Sequence, residues 1–274
     1  MPSMLERFRE AKREEIENLR SRQEGLPSGR KNVTVIPSFI PSFEKALRDA
    51  KRPGRSAIVA EYKRASPSLG DINLTLTPED AARRYAQAGA AAVSVLTESR
   101  YFGGALSFLE RAAGAERPLL RKDFIFHPLQ VAATAETPAS ALLVIVRMLD
   151  DGELTEILDA CAIYGIEPVC EIFSQKDLER LRAQFPINRP MNQRSLIVQV
   201  NNRDLDTLET DLSLSRSLIA GKREGELWIS ASGYKQRSQI QEMESLGFDA
   251  FLVGSFLMGD GDPETALLAL VGSF

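Results

Sequence analysis

Eight short apolar runs recur along this 274-residue chain, and their spacing limits the folds that it can adopt. Each run starts about 22 to 34 residues after the one before it, which is the length of one strand–helix unit. Helix signals lie between the runs: Thr77-Pro78 is typical of a helix start, and Gly247 is typical of a helix end. The predicted strands are residues 57–63, 91–96, 118–122, 140–146, 167–172, 195–200, 226–231 and 249–254.

This alternation of apolar strands with helices predicts an α/β fold in which helices cover a parallel sheet. Eight units favour closure into a single (βα)8 TIM barrel, which typically takes about 250 residues. A doubly wound open sheet is the alternative, but no Gly-x-Gly-x-x-Gly follows the first strand.

Two helical stretches, near residues 3–23 and 41–50, precede the first predicted strand, and residues 36–41 link them as an extended apolar connector. We expect residues 1–55 to form a helical extension packed on the barrel. Residues 56–274 are expected to form the barrel itself, so that the chain is one structural domain overall.

Composition excludes several classes of function. The net charge of −4 argues against a nucleic acid or an anionic membrane as partner, because both favour a basic face. No apolar run approaches the roughly 18–20 residues that span a bilayer, and the first residues lack the apolar core of a secretion signal, which predicts a cytoplasmic protein. His127 is the only histidine, which argues against a histidine-based triad or metal site.

Cys161 and Cys170 are expected to be buried reduced thiols. A surface loop is predicted over residues 185–195.

The first strand ends in a pattern that indicates chemistry. Glu61 and Lys63 stand two residues apart, so their side chains project to the same side of the strand. Active sites of parallel α/β enzymes lie at this carboxyl end of the strands. A catalytic pair and an ordinary strand-end ion pair are about equally compatible with this motif alone.

Other predicted strands also end in polar residues, which would meet at the same rim. Each residue alone has an ordinary explanation as a loop or turn residue, but their concentration favours an active site. After the last two strands, small residues would let backbone N–H groups approach an anion, and phosphate sites of such barrels are frequently formed by these two loops. The residues concerned are Lys122, Glu171, Asn201 and Arg203 for the polar rim, Ser232, Gly233, Gly254 and Ser255 for the phosphate loops, and Ser66 and Ser68 as further hydroxyl donors.

With these residues in place, the chain resembles the indole-3-glycerol phosphate synthase family of tryptophan biosynthesis from about residue 5 to the C-terminus. Related barrels such as phosphoribosylanthranilate isomerase share the phosphate loops, but they lack the motif that begins at Glu61 and the motif that begins at Leu120. The motifs that carry the resemblance are Glu61-Tyr-Lys-Arg-Ala-Ser-Pro-Ser68, Ser94-Val-Leu-Thr-Glu98 with Tyr101-Phe-Gly-Gly104, Leu120-Arg-Lys-Asp-Phe-Ile125, Asn201-Asn-Arg-Asp-Leu205 and Leu252-Val-Gly-Ser-Phe-Leu-Met258.

The resemblance implies conversion of 1-(2-carboxyphenylamino)-1-deoxyribulose 5-phosphate to indole-3-glycerol phosphate, with loss of carbon dioxide and water and without a cofactor or metal. Lys122 matches the general acid at the substrate ketone. Lys63 matches the lysine that accompanies the substrate carboxylate and later acid catalysis, and Glu171 matches the general base of the dehydration. Glu61 and Asn201 match residues that orient the substrate and the lysines.

The remaining matches are contacts to substrate. The partner is expected to be this phosphorylated small molecule, and the protein is expected to be a monomer because the N-terminal extension covers one end of the barrel. The predicted contacts are Ser66, Arg203, Ser232, Gly233, Gly254 and Ser255, with Phe102 and Phe124 either flanking the aromatic ring or packing the barrel top.

The sequence departs from the family pattern at a few positions. Ala231 stands where a glutamate is usual, which puts the rate in doubt and leaves open a weakly active or non-catalytic phosphosugar-binding paralogue. A different sugar-phosphate reaction is a third possibility that no motif favours. Gln199 replaces a common glycine and Leu69 a common lysine. Both are expected to lie beside the acid–base residues rather than among them.

Overall fold

A computed structural model of the chain describes residues 4–24, 41–67, 69–185, 195–204, 207–259 and 261–272. Its centre is a closed barrel of parallel strands, in which each strand pairs with the strands before and after it in the chain and the last pairs with the first. The strands are β1 (Ala57–Tyr62), β2 (Ala92–Leu96), β3 (Leu119–Lys122), β4 (Ala141–Ile145), β5 (Glu167–Ile172), β6 (Ile197–Asn201), β7 (Leu227–Ala231) and β8 (Ala250–Val253).

The predicted (βα)8 barrel is therefore confirmed, and each strand lies within two residues of its predicted bounds. Residues 36–40 of the predicted connector and residues 186–194 of the predicted loop lie outside the described residues. A short antiparallel hairpin that the sequence did not indicate, Ala65–Ser66 with Gly70–Asp71, follows β1.

Helices alternate with the strands around the outside of the barrel. Thr77 caps one of them by accepting a hydrogen bond from the N–H of Asp80 at 3.2 Å, and Gly247 ends another with φ +114°, as predicted. The helices are α1 (Met4–Glu24), α2 (Phe43–Ala50), α3 (Pro78–Gln87), α4 (Ser99–Phe102), α5 (Phe108–Ala112), α6 (Pro128–Ala135), α7 (Asp151–Tyr164), α8 (Gln175–Gln184), α9 (Ser213–Leu218), α10 (Arg237–Leu246) and α11 (Pro263–Val271).

The strands are buried on both faces, which explains why they read as continuous apolar runs rather than alternating ones. Inward side chains fill the barrel, and outward side chains pack under the helices. Trp228 on β7 is fully buried, and Cys161 and Cys170 are both buried thiols. No helix within the described ranges combines the length and the apolar character that crossing a membrane requires.

Helix α1 lies across the carboxyl ends of the strands. Phe8 stacks on Phe124, with ring centroids 3.9 Å apart. Lys12 forms an ion pair of 2.6 Å with Asp123, and Arg121 binds Asp123 and Glu15 at 2.9 Å each. Because Lys12, Arg121 and Asp123 are almost fully buried, these charges hold the helix on the barrel next to Lys122.

Helix α2 lies at the opposite end of the barrel. Its Phe43 and Leu47 are buried, and the carboxylate of Glu167, the first residue of β5, accepts the N–H groups of Phe43 at 3.0 Å and Glu44 at 2.7 Å. A carboxylate at a helix N-terminus satisfies donors that have no partner inside the helix. The division of the chain at residue 55 and its description as one domain stay predictions.

Candidate active site

A cavity of about 500 Å³ opens at the carboxyl ends of the strands. Residues at or just after the ends of all eight strands line it, which follows from the shared direction of the strands. Ser68 lies outside the described residues. The other residues predicted for the site all line this cavity, and they are Glu61, Lys63, Ser66, Phe102, Lys122, Phe124, Glu171, Asn201, Arg203, Ser232, Gly233, Gly254 and Ser255.

One buried carboxylate holds both predicted lysines. Lys122 Nζ donates to Glu61 Oε2 at 2.5 Å, and Lys63 Nζ lies 2.9 Å from Glu61 Oε1. Glu61 is 2% exposed, whereas the two lysine side chains are 17% and 12% exposed. Both amines therefore stand on the cavity side of the carboxylate, with their stems in the barrel.

This cluster shifts the pKa values of two of its members. Burial opposes ionisation of Glu61, but the charges and hydrogen bonds of Lys122 and Lys63 outweigh it and lower the pKa of the carboxyl to about 2. Burial lowers the pKa of Lys63, and the nearby charges of Lys122 and Arg203 lower it further, against the opposing effect of Glu61. Glu61 is thus a fixed anion, and the Lys63 amine loses its proton more readily than an ordinary lysine.

Gly254 makes room for this carboxylate. A Cβ atom at residue 254 would collide with Oε1 and Cδ of Glu61, so a larger residue would displace the carboxylate from its observed position. The phosphate contact predicted for Gly254 stays a prediction, and the structure adds that this residue lies against Glu61. Ser255, the next residue, accepts a hydrogen bond from Lys63 Nζ at 3.0 Å.

Glu171 is the second buried carboxyl of the site. Burial raises its pKa, and the charge of Lys122 together with hydrogen bonds from Gln199 and Asn201 offsets part of that rise. Gln199 Nε2 lies 2.6 Å from Glu171 Oε2. Gln199 was expected to lie beside the acid–base residues rather than among them. This was wrong, because Gln199 stands directly opposite Glu171 in the pairing of β5 with β6 and binds its carboxyl.

Asn201 connects this group to the loop after β7. Its Oδ1 accepts the Ser232 hydroxyl at 3.0 Å and the N–H of Arg203 at 3.0 Å. The backbone N–H of Ser232 donates to Leu252 O at 3.2 Å, so it is engaged within the barrel rather than directed at the cavity. Ser232 and Gly233 both have positive φ, +73° and +94°, which turns the chain sharply at the cavity edge.

An aromatic wall closes one side of the cavity, and the sequence indicated only part of it. Phe102 and Phe124 lie there as predicted, with ring centroids 6.2 Å apart, but Phe8 of α1 also lines the cavity. Glu98, also buried and lining the cavity, accepts N–H groups of α4, including that of Phe102 at 3.2 Å. An acid just before a short helix signals this capping, whereas nothing local predicts where Phe8 docks.

Comparison with known proteins identifies the family of the chain. A family model described as indole-3-glycerol phosphate synthase matches residues 5–270. The chain belongs to the indole-3-glycerol phosphate synthase family. Proteins with that name from Opitutus terrae and Deinococcus radiodurans are each 40% identical to it, over 236 and 235 residues, or 84% of this chain and 84% of each relative.

Membership in the indole-3-glycerol phosphate synthase family confirms the resemblance found from the motifs. A solved structure of 3-hexulose-6-phosphate synthase from Salmonella typhimurium has a TM-score of 0.59, covering 78% of this chain and 96% of that chain. At 11% identity this likeness concerns the fold alone. Ala231, the departure from the family pattern on β7, is buried at 1% exposure.

Proposed function

We propose that this protein is an indole-3-glycerol phosphate synthase that acts on 1-(2-carboxyphenylamino)-1-deoxyribulose 5-phosphate. The observation that carries the proposal is the pair of lysines, Lys122 and Lys63, held on the buried carboxylate of Glu61 at the floor of a cavity of about 500 Å³. Two positioned amines suit a reaction that must protonate a ketone, hold a carboxylate and expel a hydroxyl group from one substrate.

In the proposed ring closure, the aromatic carbon that bears the carboxylate attacks the ketone carbon of the sugar. Lys122 donates a proton to the carbonyl oxygen as the new carbon–carbon bond forms. Lys63 neutralises the substrate carboxylate until the bond between the ring carbon and the carboxylate breaks. Carbon dioxide then leaves, and the electron pair of that bond returns to the ring. Glu61 supports both lysines because it remains ionised throughout the neutral pH range.

In the proposed dehydration, the hydroxyl group formed from the ketone leaves as water after protonation by Lys63. Glu171 accepts the proton that must leave for the double bond of the indole to form. Burial raises the pKa of Glu171 and lowers the pKa of Lys63, so both groups exchange protons closer to neutrality than ordinary side chains.

The substrate phosphate is proposed to bind on the side of the cavity formed after β7 and β8. The positive φ of Gly233 and the guanidinium of Arg203 at the cavity edge support this placement. Ser66, Ser232, Gly254 and Ser255 line the same region. Phe102 and Phe124 are proposed to flank the aromatic ring.

The alternative of a non-catalytic phosphosugar-binding paralogue is not favoured. Its sequence support was Ala231, and the relatives with the matching name share 40% identity over most of the chain. The lysines and carboxyls proposed for the chemistry also converge on one cavity.

The direct test is to give purified protein the carboxyphenylamino substrate and to follow indole fluorescence. Lys122→Met keeps a side chain of similar length without the proton donor, so we expect turnover to fall by at least about a thousandfold. Lys176→Met, an exposed lysine of α8, is the matched control and should keep the wild-type rate. Absence of product from the wild type would contradict the function, and near-normal turnover by Lys122→Met would contradict the assignment of the acid.

A further inference from the structure

Gln199 stands out among the buried polar side chains around the cavity. It is fully buried in β6, yet it is not among the residues that line the cavity, so a substrate would not touch it. Nε2 of its amide lies 2.6 Å from Glu171 Oε2, while Oε1 is buried without a hydrogen-bond partner in the described part of the chain. A buried amide oxygen without a hydrogen-bond partner lowers the stability of the fold, so its presence calls for an explanation.

We propose that Gln199 is a positioning residue that holds the Glu171 carboxyl in both of its protonation states. This inference rests on the proposed role of Glu171 as the general base. A carboxamide carries a donor at one end and an acceptor at the other. In the observed orientation its N–H donates to the ionised carboxylate. Rotation of the amide by half a turn brings Oε1 to the same place, where it accepts the O–H of the protonated acid.

The surroundings of Glu171 leave this task to few groups. On one side β4 presents the apolar side chains of Leu143 and Ile145 to the cavity. On the other side β6 presents Gln199 and Asn201. The charged groups that act on Glu171 are Lys122 on β3, which favours the carboxylate, and Glu61 on β1, which disfavours it.

Asn201 does not duplicate this function. Its Oδ1 already accepts hydrogen bonds from Ser232 and from the N–H of Arg203, so its amide orientation is fixed. Gln199 Oε1 has no such attachment among the described residues. Gln199 is therefore the neighbour that can exchange donor for acceptor when Glu171 takes up a proton.

The first measurement is the pH dependence of kcat/KM, whose acidic limb reports the base in the free enzyme. Gln199→Met keeps the length of the side chain but removes both hydrogen bonds, and the bond to the ionised carboxylate is the stronger of the two because it is charge-assisted. The pKa of Glu171 should then rise, and the acidic limb should move to higher pH. We expect kcat/KM to fall roughly tenfold at pH values on the acidic side of the limb, and to fall less at higher pH. Gln199→Glu places a second carboxyl against the first and should move the limb further in the same direction.

Val198→Ala is the matched control. Val198 is the preceding residue of the same strand, equally buried, and its side chain points away from the barrel interior because strand side chains alternate. This variant disturbs the packing of the same strand without changing a group that contacts Glu171, so its acidic limb should stay at the wild-type pH. A limb that stays in place in Gln199→Met and Gln199→Glu would overturn the proposal, even if both variants are slower at every pH.

The second measurement needs no turnover. In protein labelled with carbon-13 at the glutamate carboxyl groups, the Glu171 signal is identified by its absence in Glu171→Gln, and its titration is followed by NMR. We expect the titration to move to higher pH in Gln199→Met and in Gln199→Glu, and an unmoved titration would overturn the proposal. If the wild type forms no indole product but the Gln199 variants show this shift, the proposed function is refuted and the effect of Gln199 on the Glu171 carboxyl stands.

Discussion

Glu61 is the residue on which the charges of the site converge. Its carboxyl lies between Lys122 and Lys63, and burial alone would make it a weak acid. The two ammonium groups outweigh burial and lower its pKa from 4.5 to about 2. Because the pKa is lower in the folded state, Glu61 stabilises the fold above about pH 4.5, and this contribution is lost as the pH falls toward 2.

Removal of the Glu61 charge should therefore make stability less sensitive to acid. We expect the free energy of unfolding to fall less between about pH 5 and pH 3 in Glu61→Gln than in the wild type. Urea denaturation at the two pH values measures the difference. Glu179→Gln, an exposed acid on α8, should keep the wild-type sensitivity. Equal losses in the wild type and Glu61→Gln would show that the two lysines do not hold the carboxyl as described.

At the scale of elements, α1 depends on buried charge rather than on an apolar stripe alone. Lys12 lies 2.6 Å from Asp123 with 4% of its side chain exposed, whereas the adjacent Arg13 pairs with Glu10 in solvent. Without Lys12, the carboxylates of Asp123 and Glu15 would share the single cation Arg121, which is more costly than removing a solvated charge.

The two cations give a matched comparison on one helix. We expect Lys12→Met to lower the free energy of unfolding by roughly 3 kcal/mol, and Arg13→Met to change it by no more than about 0.5 kcal/mol. Denaturant titration gives both values, and hydrogen exchange should locate the loss in α1. Equal effects of the two substitutions would mean that the Asp123 pair does not anchor the helix.

The strands, their order and the residues at their ends were predictable because these features depend on local periodicity. The docking of α1 was not, since Asp123 and Phe124, which bind Lys12 and Phe8, lie more than a hundred residues away in the chain. The contact between Gln199 and Glu171 also required the register of two strands, which no local pattern specifies. Gly254 was predicted to contact phosphate because it is a small residue after the eighth strand, whereas its proximity to Glu61 depends on the closure of the barrel.

At the scale of the whole molecule, the helices at both ends of the barrel bear on whether the chain unfolds as one unit. Trp228, the only tryptophan, lies in the barrel wall, so its fluorescence reports the barrel, whereas far-UV circular dichroism also reports α1 and α2. We expect the two signals to change together in a single urea transition, which would support one structural domain. A circular dichroism change that precedes the fluorescence change would instead separate the N-terminal helices from the barrel.

The pairing of β1 with β8 has a consequence for the folding of the protein during its synthesis. Glu61 and Lys63 leave the ribosome before Gly254 and Ser255, which pack against them, because Ser255 follows Lys63 by 192 residues. The cluster of Glu61 and the two lysines therefore lies at the strand pair that closes the barrel. A chain without β8 would keep Glu61 beside both lysines, but it would lack the hydrogen bond from Lys63 to Ser255 and the strand pairing that closes the barrel.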